Sequence, residues 1–247
     1  MQIEYRELTV DGAKLRGFLT KPDDGFKDIV VYLHGFTGHK NEHNFMFKNL
    51  SIELAKVGIA SLRYDYRGSG DSDLDFSDQS FDTVLADGEA MIKEAKALNG
   101  GKPVIVLGFS MGGANAARQS VMHNEDIKKL ILISPAGHLE KSLQRIFEVN
   151  KVIDEKFVDI GGYYIGINFK ESLDNVDLYE GVENFKKPVL IIQGSADLAV
   201  NPIDSKRYAT LYEKSRYVVV EDATHGYDKV EYRNKIKEEV IKFINEE

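Results

Sequence analysis

Residues 104–113 read Val-Ile-Val-Leu-Gly-Phe-Ser-Met-Gly-Gly, and few segments leave a chain less choice. The apolar, mostly β-branched opening predicts a strand buried on both faces. Ala114, Ala116 and Ala117 beyond it predict a helix packed close against that strand. Between the two, Ser110 has a glycine two residues away on either side, Gly108 and Gly112. This is the spacing of a sharp strand-to-helix turn, whose central serine adopts a strained backbone conformation and whose neighbours must be small. The turn lifts the Ser110 hydroxyl above the sheet edge, with helix amides where a developing negative charge is stabilised. An incidental serine in a tight turn would account for the glycines alone. The strand before and the alanine-rich segment after them favour a nucleophile.

The rest of the chain repeats the rhythm that this turn implies. Residues 3–10 and 14–20 read as strands joined at Asp11-Gly12, a short hairpin signal. Apolar runs at 29–33, 59–64, 104–107, 130–133, 189–192 and 217–220 then alternate with amphipathic stretches, as strands joined by crossover helices do. Helices are predicted over 42–57, 81–98, 111–123, 203–213 and 229–244. The expected architecture is one α/β domain over residues 1–247, a mostly parallel sheet of about eight strands with an N-terminal antiparallel hairpin and helices on both faces. About fifty residues separate the strand near Ser134 from the one at Val189, far more than one crossover needs. Residues 136–185 are therefore an insertion. With Phe147, Phe157, Tyr163, Tyr164, Phe169 and Tyr179 among many charges, it reads as a lid or substrate pocket, the other reading being an added structural layer.

Composition narrows the chemistry. The 247-residue chain has no cysteine, which excludes disulfides, thiolate metal sites and a cysteine nucleophile. A formal net charge of −8 argues against nucleic acid or an anionic membrane as the main partner, since both favour basic surfaces. A small-molecule substrate fits better, and a homodimer is as compatible with the chain as a monomer. The acidic start, Met-Gln-Ile-Glu-Tyr-Arg-Glu-Leu, is unlike a secretory signal, so a cytoplasmic location is expected.

A serine hydroxyl needs a base within hydrogen-bond reach and a third group to orient that base. In open α/β sheets such groups gather in loops beyond the carboxyl ends of the strands. His225 follows the strand ending at Val220 and is the best-placed base of six histidines. His34 follows a strand but lies in a loop with another expected task, while His39 and His43 enter a helix and His123 lies near a helix end. His138 falls in the insertion, where it is placed to touch substrate. Asp197 follows the strand at 189–193 through Gly194-Ser-Ala and is the expected acid. Asp222, three residues from His225, is the rival, but a carboxylate so near in one turn more often caps that turn. The order is then Ser110, Asp197, His225. Stabilising an oxyanion takes two amide donors, expected from Met111 and from Phe36 in His34-Gly-Phe-Thr-Gly.

Two other patterns are discounted. Asp71-Ser-Asp-Leu-Asp-Phe opens like a calcium loop, but Phe76 and Asp82 stand where glycine and glutamate are required. His39 and His43 have helical metal-pair spacing without a third ligand. Neither a metal nor an organic cofactor is expected.

Beyond the serine segment, His34-Gly-Phe-Thr-Gly, Arg63-Tyr-Asp-Tyr-Arg-Gly-Ser-Gly-Asp-Ser, Ser134-Pro-Ala, Lys187-Pro-Val-Leu-Ile-Ile-Gln-Gly and Thr224-His-Gly-Tyr carry a resemblance over nearly the full length. The chain resembles the α/β-hydrolase serine esterases and, among them, the bacterial cinnamoyl/feruloyl esterases. The finer likeness rests on the HGFTG loop, the N-terminal hairpin, the size and position of the insertion and its Gly161-Gly-Tyr-Tyr element. The resemblance implies the α/β-hydrolase fold, a Ser-His-Asp triad working through an acyl-enzyme, and hydrolysis of hydroxycinnamate or other small acyl esters. It also implies that Tyr164 lies in the pocket and meets an aromatic acyl group. A thioesterase or lipase-like hydrolase with the same triad is the nearest alternative. A hydrolase-fold binding protein without turnover is the alternative of another class.

Overall fold

Strand propensity and turn chemistry agree from the first residues onward. In the computed structural model, which describes residues 1–154 and 156–246, β1 (Gln2–Val10) and β2 (Ala13–Lys21) pair antiparallel. Asp11 and Gly12 between them both take positive φ, as a tight hairpin requires. There follow β3 (Asp28–Leu33), α1 (Met46–Lys56), β4 (Ile59–Tyr64), α2 (Phe81–Leu98), β5 (Val104–Phe109), α3 (Met111–Met122) and β6 (Ile127–Ile133). The segment after β6 holds α4 (Leu139–Val149), β7 (Val152–Ile153), β8 (Phe157–Ile160), β9 (Tyr163–Gly166) and α5 (Ile167–Glu171). The chain then returns to the main sheet with β10 (Val189–Gly194), α6 (Pro202–Leu211), β11 (Ser215–Val220) and α7 (Val230–Asn245).

Eight strands form one sheet in the order β1-β2-β4-β3-β5-β6-β10-β11, parallel from β4 onward. All eight expected strands are present. The central strands are buried on both faces because helices cover both. Val31, Leu33, Val106, Leu132 and Ile191 face a core completed by Met91 of α2, Ala117 of α3 and Leu143 of α4. Their alternates Val30, Tyr32, Leu107, Ile131 and Ile192 face Phe47 and Leu54 of α1 and Val240 of α7.

Two differences from the sequence reading bear on the site. The helix expected from residue 42 begins only at Met46, because Glu42, Asn44 and Phe45 hold φ of 57°, 53° and 56°, outside helical space. The insertion has its own small antiparallel sheet, β7-β8-β9. Strands of two to four residues are too short to show a period in sequence.

Among the glycines of the described residues, the closest approaches to other backbone lie where β5 meets α3. A Cβ on Gly108 would stand 2.0 Å from Gly112 O, and one on Gly112 would stand 1.9 Å from Leu33 O. Neither backbone atom can yield without displacing helix α3 or the central strand β3. Gly112→Ala is therefore expected to lower unfolding free energy by at least about 2 kcal/mol, read from the midpoint of urea denaturation. A wild-type midpoint would contradict this packing.

Candidate active site

The turn after β5 takes the predicted strained form. Ser110 has φ 55° and ψ −119°, a conformation that a non-glycine residue keeps only when its surroundings hold it there. They do: Ser110 N–H donates to Ile133 O at 2.9 Å, and its carbonyl accepts from Gly113, Ala114 and Ala136. The side chain is left free to face outward.

Two neighbouring loops bring the other chemistry to this point. Beyond β11, His225 places Nε2 3.0 Å from Ser110 Oγ and Nδ1 2.7 Å from Asp197 Oδ2. A carboxylate only accepts, so Nδ1 carries the imidazole proton and Nε2 is free to accept from the serine hydroxyl. Phe109 lies against the His225 ring, centroids 4.8 Å apart. Asp197, just after β10, has a fully buried carboxylate held on all sides. Oδ1 accepts from the Ala199 and Val200 amides, and Oδ2 accepts from Gln193 Nε2, itself fixed by Ser205. Burial pushes this carboxyl toward higher pKa, but the His225 contact and the Val200 amide outweigh it, so the pKa lies below the ordinary value. Asp222 is exposed, accepts nothing from His225, and donates its own amide to Ser195 Oγ.

The amides expected to hold an oxyanion stand on either side of Ser110. Among the described residues, neither Phe36 N–H nor Met111 N–H has a protein acceptor. The Phe36 amide is aimed through the peptide plane it shares with Gly35. Tyr66 N–H donates to His34 Nε2, so His34 Nδ1 carries the proton and donates to Gly35 O at 2.9 Å, where Gly38 N–H also donates. In a trans peptide the next N–H points opposite to that carbonyl, which leaves Phe36 N–H facing away from His34. His34 is buried, and burial lowers its pKa despite nearby Glu42 and Asp65, in keeping with a neutral ring.

A cleft of about 450 Å³ opens on Ser110 and His225. It is lined by the Gly35–Gly38 turn, His39, Glu42, His43, Phe109 and Tyr163. Tyr163, not Tyr164, reaches it. Successive residues of β9 point to opposite faces, and Tyr164 turns outward onto Phe157, rings 5.0 Å apart. Tyr163 instead meets Phe76, which meets Phe36, which meets Phe169 of α5, each pair edge to face at 5.1–5.3 Å. Phe169 is among the aromatics that mark the insertion as a lid or pocket, whereas neither Phe76 nor Glu42 is singled out by the sequence as part of a site; their only signal is long-range contact. His138 lies apart from this cleft, bonded through Nδ1 to Asp204 Oδ1 at 2.6 Å. It lines a second cleft of about 620 Å³ with Lys141, Asp197, Leu198 and Ile203. The acidic run resembling a calcium loop is committed elsewhere, Asp71 to Lys40 Nζ and Asp73 to Arg16. Among the described residues, no three potential ligands cluster as a metal would need, and no helix is long and apolar enough to cross a membrane.

A strained serine between a parallel strand and a helix, with a histidine and an aspartate at the same sheet edge, defines the α/β-hydrolase class of serine hydrolases. The model of the serine aminopeptidase S33 family matches residues 25–162, more than half the chain, and the chain belongs to that family. It is 27% identical to the AB hydrolase superfamily protein YisY of Bacillus subtilis, over 90% of this chain and 94% of that one. It is 30% identical to monoacylglycerol lipase ABHD6 of Bos taurus over 78% of its own length, spanning 56% of the lipase. Among solved structures it is similar to Est1E of Butyrivibrio proteoclasticus with ferulic acid bound, at TM-score 0.87, 26% identity and 97% coverage of both chains. The chain is thus a serine hydrolase of esterase type, resembling feruloyl esterases.

The lowered pKa of Asp197 has a consequence for stability. A carboxylate whose folded pKa lies below its unfolded value of about 3.9 stabilises the fold above that value, and the contribution is lost as pH falls through the folded pKa. The stability advantage of wild type over Asp197→Asn, measured by urea unfolding, is expected to be largest above about pH 5 and to shrink below about pH 4. A difference that is constant with pH would contradict the assignment.

Proposed function

We propose that the protein hydrolyses small carboxylic esters through Ser110, His225 and Asp197, with hydroxycinnamate-type acyl groups as preferred substrates. The observation that carries this reading is the continuous hydrogen-bonded series from Ser110 Oγ through His225 to buried Asp197. His225 Nε2 takes the hydroxyl proton as Ser110 Oγ bonds to the ester carbonyl carbon, and the resulting oxyanion lies between the Phe36 and Met111 amides. Each such donor is worth about 2.7–4 kcal/mol of barrier. Collapse breaks the carbon–alkoxide bond, and His225 returns its proton to the departing alcohol. Water then bonds to the acyl carbon and loses a proton to His225, the bond from Ser110 Oγ to the acyl carbon breaks, and His225 returns that proton to Oγ, freeing the serine and the acid. Asp197 keeps the imidazole in the useful tautomer and stabilises its charged form.

Two observations support an aromatic acyl group. The wall beside Ser110 includes Phe36, Phe109 and Tyr163, with Phe76 packed against the first and last of these, and the structurally similar Est1E was solved with ferulic acid. Edge-to-face contacts suit a planar ring. Tyr163 takes the part that the resemblance gave to Tyr164, and His138, held by Asp204, meets the remainder of a substrate that extends past Asp197 into the second cleft.

Ser110→Ala is expected to reduce turnover of p-nitrophenyl acetate at least about 10³-fold while melting as wild type, and retained turnover would overturn the reading. A panel of methyl ferulate, short and long p-nitrophenyl esters and an acyl-CoA tests the substrate. Preference for long chains or the thioester would replace the feruloyl assignment and leave the triad in place. Tyr163→Ala should raise KM for methyl ferulate about tenfold, and more than for p-nitrophenyl acetate. Equal effects on the two esters would remove Tyr163 from the acyl site.

A further inference from the structure

Glu42 is a buried carboxylate of the cleft to which the proposed reaction gives no task. It is 5% exposed and holds φ 57°, a conformation that strains a glutamate. Its Oε2 accepts from Gly35 N–H at 2.8 Å and its Oε1 from His43 N–H at 3.0 Å. A Cβ placed on Gly35 would stand 3.4 Å from Ser110 Cβ and 3.6 Å from Glu42 Oε2, so nucleophile and carboxylate flank the same glycine. A negative charge there opposes the oxyanion that ester hydrolysis creates. On electrostatic grounds alone Glu42 is a liability.

What the carboxylate supplies is geometry. His34 and Gly38 fix the carbonyl of Gly35, but a glycine turns freely about N–Cα unless its N–H is fixed too. Glu42 fixes it, so the Gly35–Phe36 peptide plane has one orientation. The same loop is anchored farther along by Lys40, whose N–H and ammonium both bond to buried Asp65. We propose that Glu42 is a positioning residue that locks Gly35 and thereby aims the Phe36 amide at the reacting carbonyl oxygen. This rests on the reading of Ser110 as nucleophile and deepens it.

Three variants separate the bond from the charge. Glu42→Ala removes both, Glu42→Asp keeps the charge but withdraws it by one methylene, and Glu42→Gln keeps an acceptor at full reach without charge. The readouts are kcat and KM for p-nitrophenyl acetate, the inhibition constant of an aryl trifluoromethyl ketone, whose adduct with serine bears an oxyanion, and the melting temperature. Glu42→Ala and Glu42→Asp should lose about 10–100-fold in kcat with a parallel loss of ketone affinity, KM staying within about threefold. Glu42→Gln, the conservative variant, should restore most of both. Glu42→Asp as active as Glu42→Gln, or a folded Glu42→Ala with wild-type kcat and ketone affinity, overturns the proposal. If Glu42→Ala does not fold, the order of the other two still decides. Ser110→Ala in the same assay separates the failures: turnover by that variant sinks the nucleophile reading and this proposal together, whereas an inactive Ser110→Ala beside indifferent Glu42 variants sinks this proposal alone.

Discussion

Everything at the proposed site depends on how closely α3 approaches β5 and β3. The approach is possible because Gly108 and Gly112 present no side chain where Gly112 O and Leu33 O already stand. A helix that begins so near the sheet leaves no room for an ordinary connection, so the single residue between strand and helix must turn through positive φ. That residue is Ser110. Its exposure, its distance from His225 and the free Met111 amide at the helix start all follow from this one packing constraint. The strain is local, whereas the bonds that hold it reach β6 and the loop after it, through Ile133 and Ala136.

The same economy recurs around the cleft. Thr37, Glu42, Asn44, Phe45, Ser134, Asp222 and Tyr227 all hold positive φ without being glycine, and all lie in the loops that meet at this sheet edge. Strain collected at one place and restrained by long-range bonds is what preorganisation requires, because groups already in position need not move when charge develops. Asn44 bonds to the Gly226 carbonyl and Ser134 Oγ to the Tyr227 hydroxyl, so the loop carrying His225 is tied both to the entry of α1 and to β6. The aromatic row from Tyr163 to Phe169 ties the insertion to Phe36 in the same way.

The fold, and the sheet edge at which Ser110, His225 and Asp197 meet, were readable because their signals are local and repeated. Long apolar runs mark the strands, and the chemistry falls just past their carboxyl ends, so Asp197 could be chosen over Asp222 by order alone. What escaped depends on phase or on distant contact. Gly161 and Gly162, both at positive φ, close the β8–β9 hairpin, and a shift of one residue in so short a strand exchanges its faces. The resemblance pointed to Tyr164, and the residue of this pair that lines the cleft is Tyr163. Helical spacing similarly ran through residues 42–45, where bonds to Gly35, Gly226 and Asp228 hold the backbone out of the helix. No composition or period announces a glutamate that works by holding a glycine seven residues away.

The account stands on Ser110 being activated by His225 and Asp197. Peptide mapping by mass spectrometry after brief exposure to an alkyl fluorophosphonate reads that activation directly, since the probe bonds to an activated serine and not to an ordinary one. The prediction is one adduct per chain, confined to the peptide bearing Ser110, formed about 10³-fold more slowly in His225→Ala. An unmodified Ser110 in folded wild-type protein, or modification that ignores the loss of His225, would contradict the account.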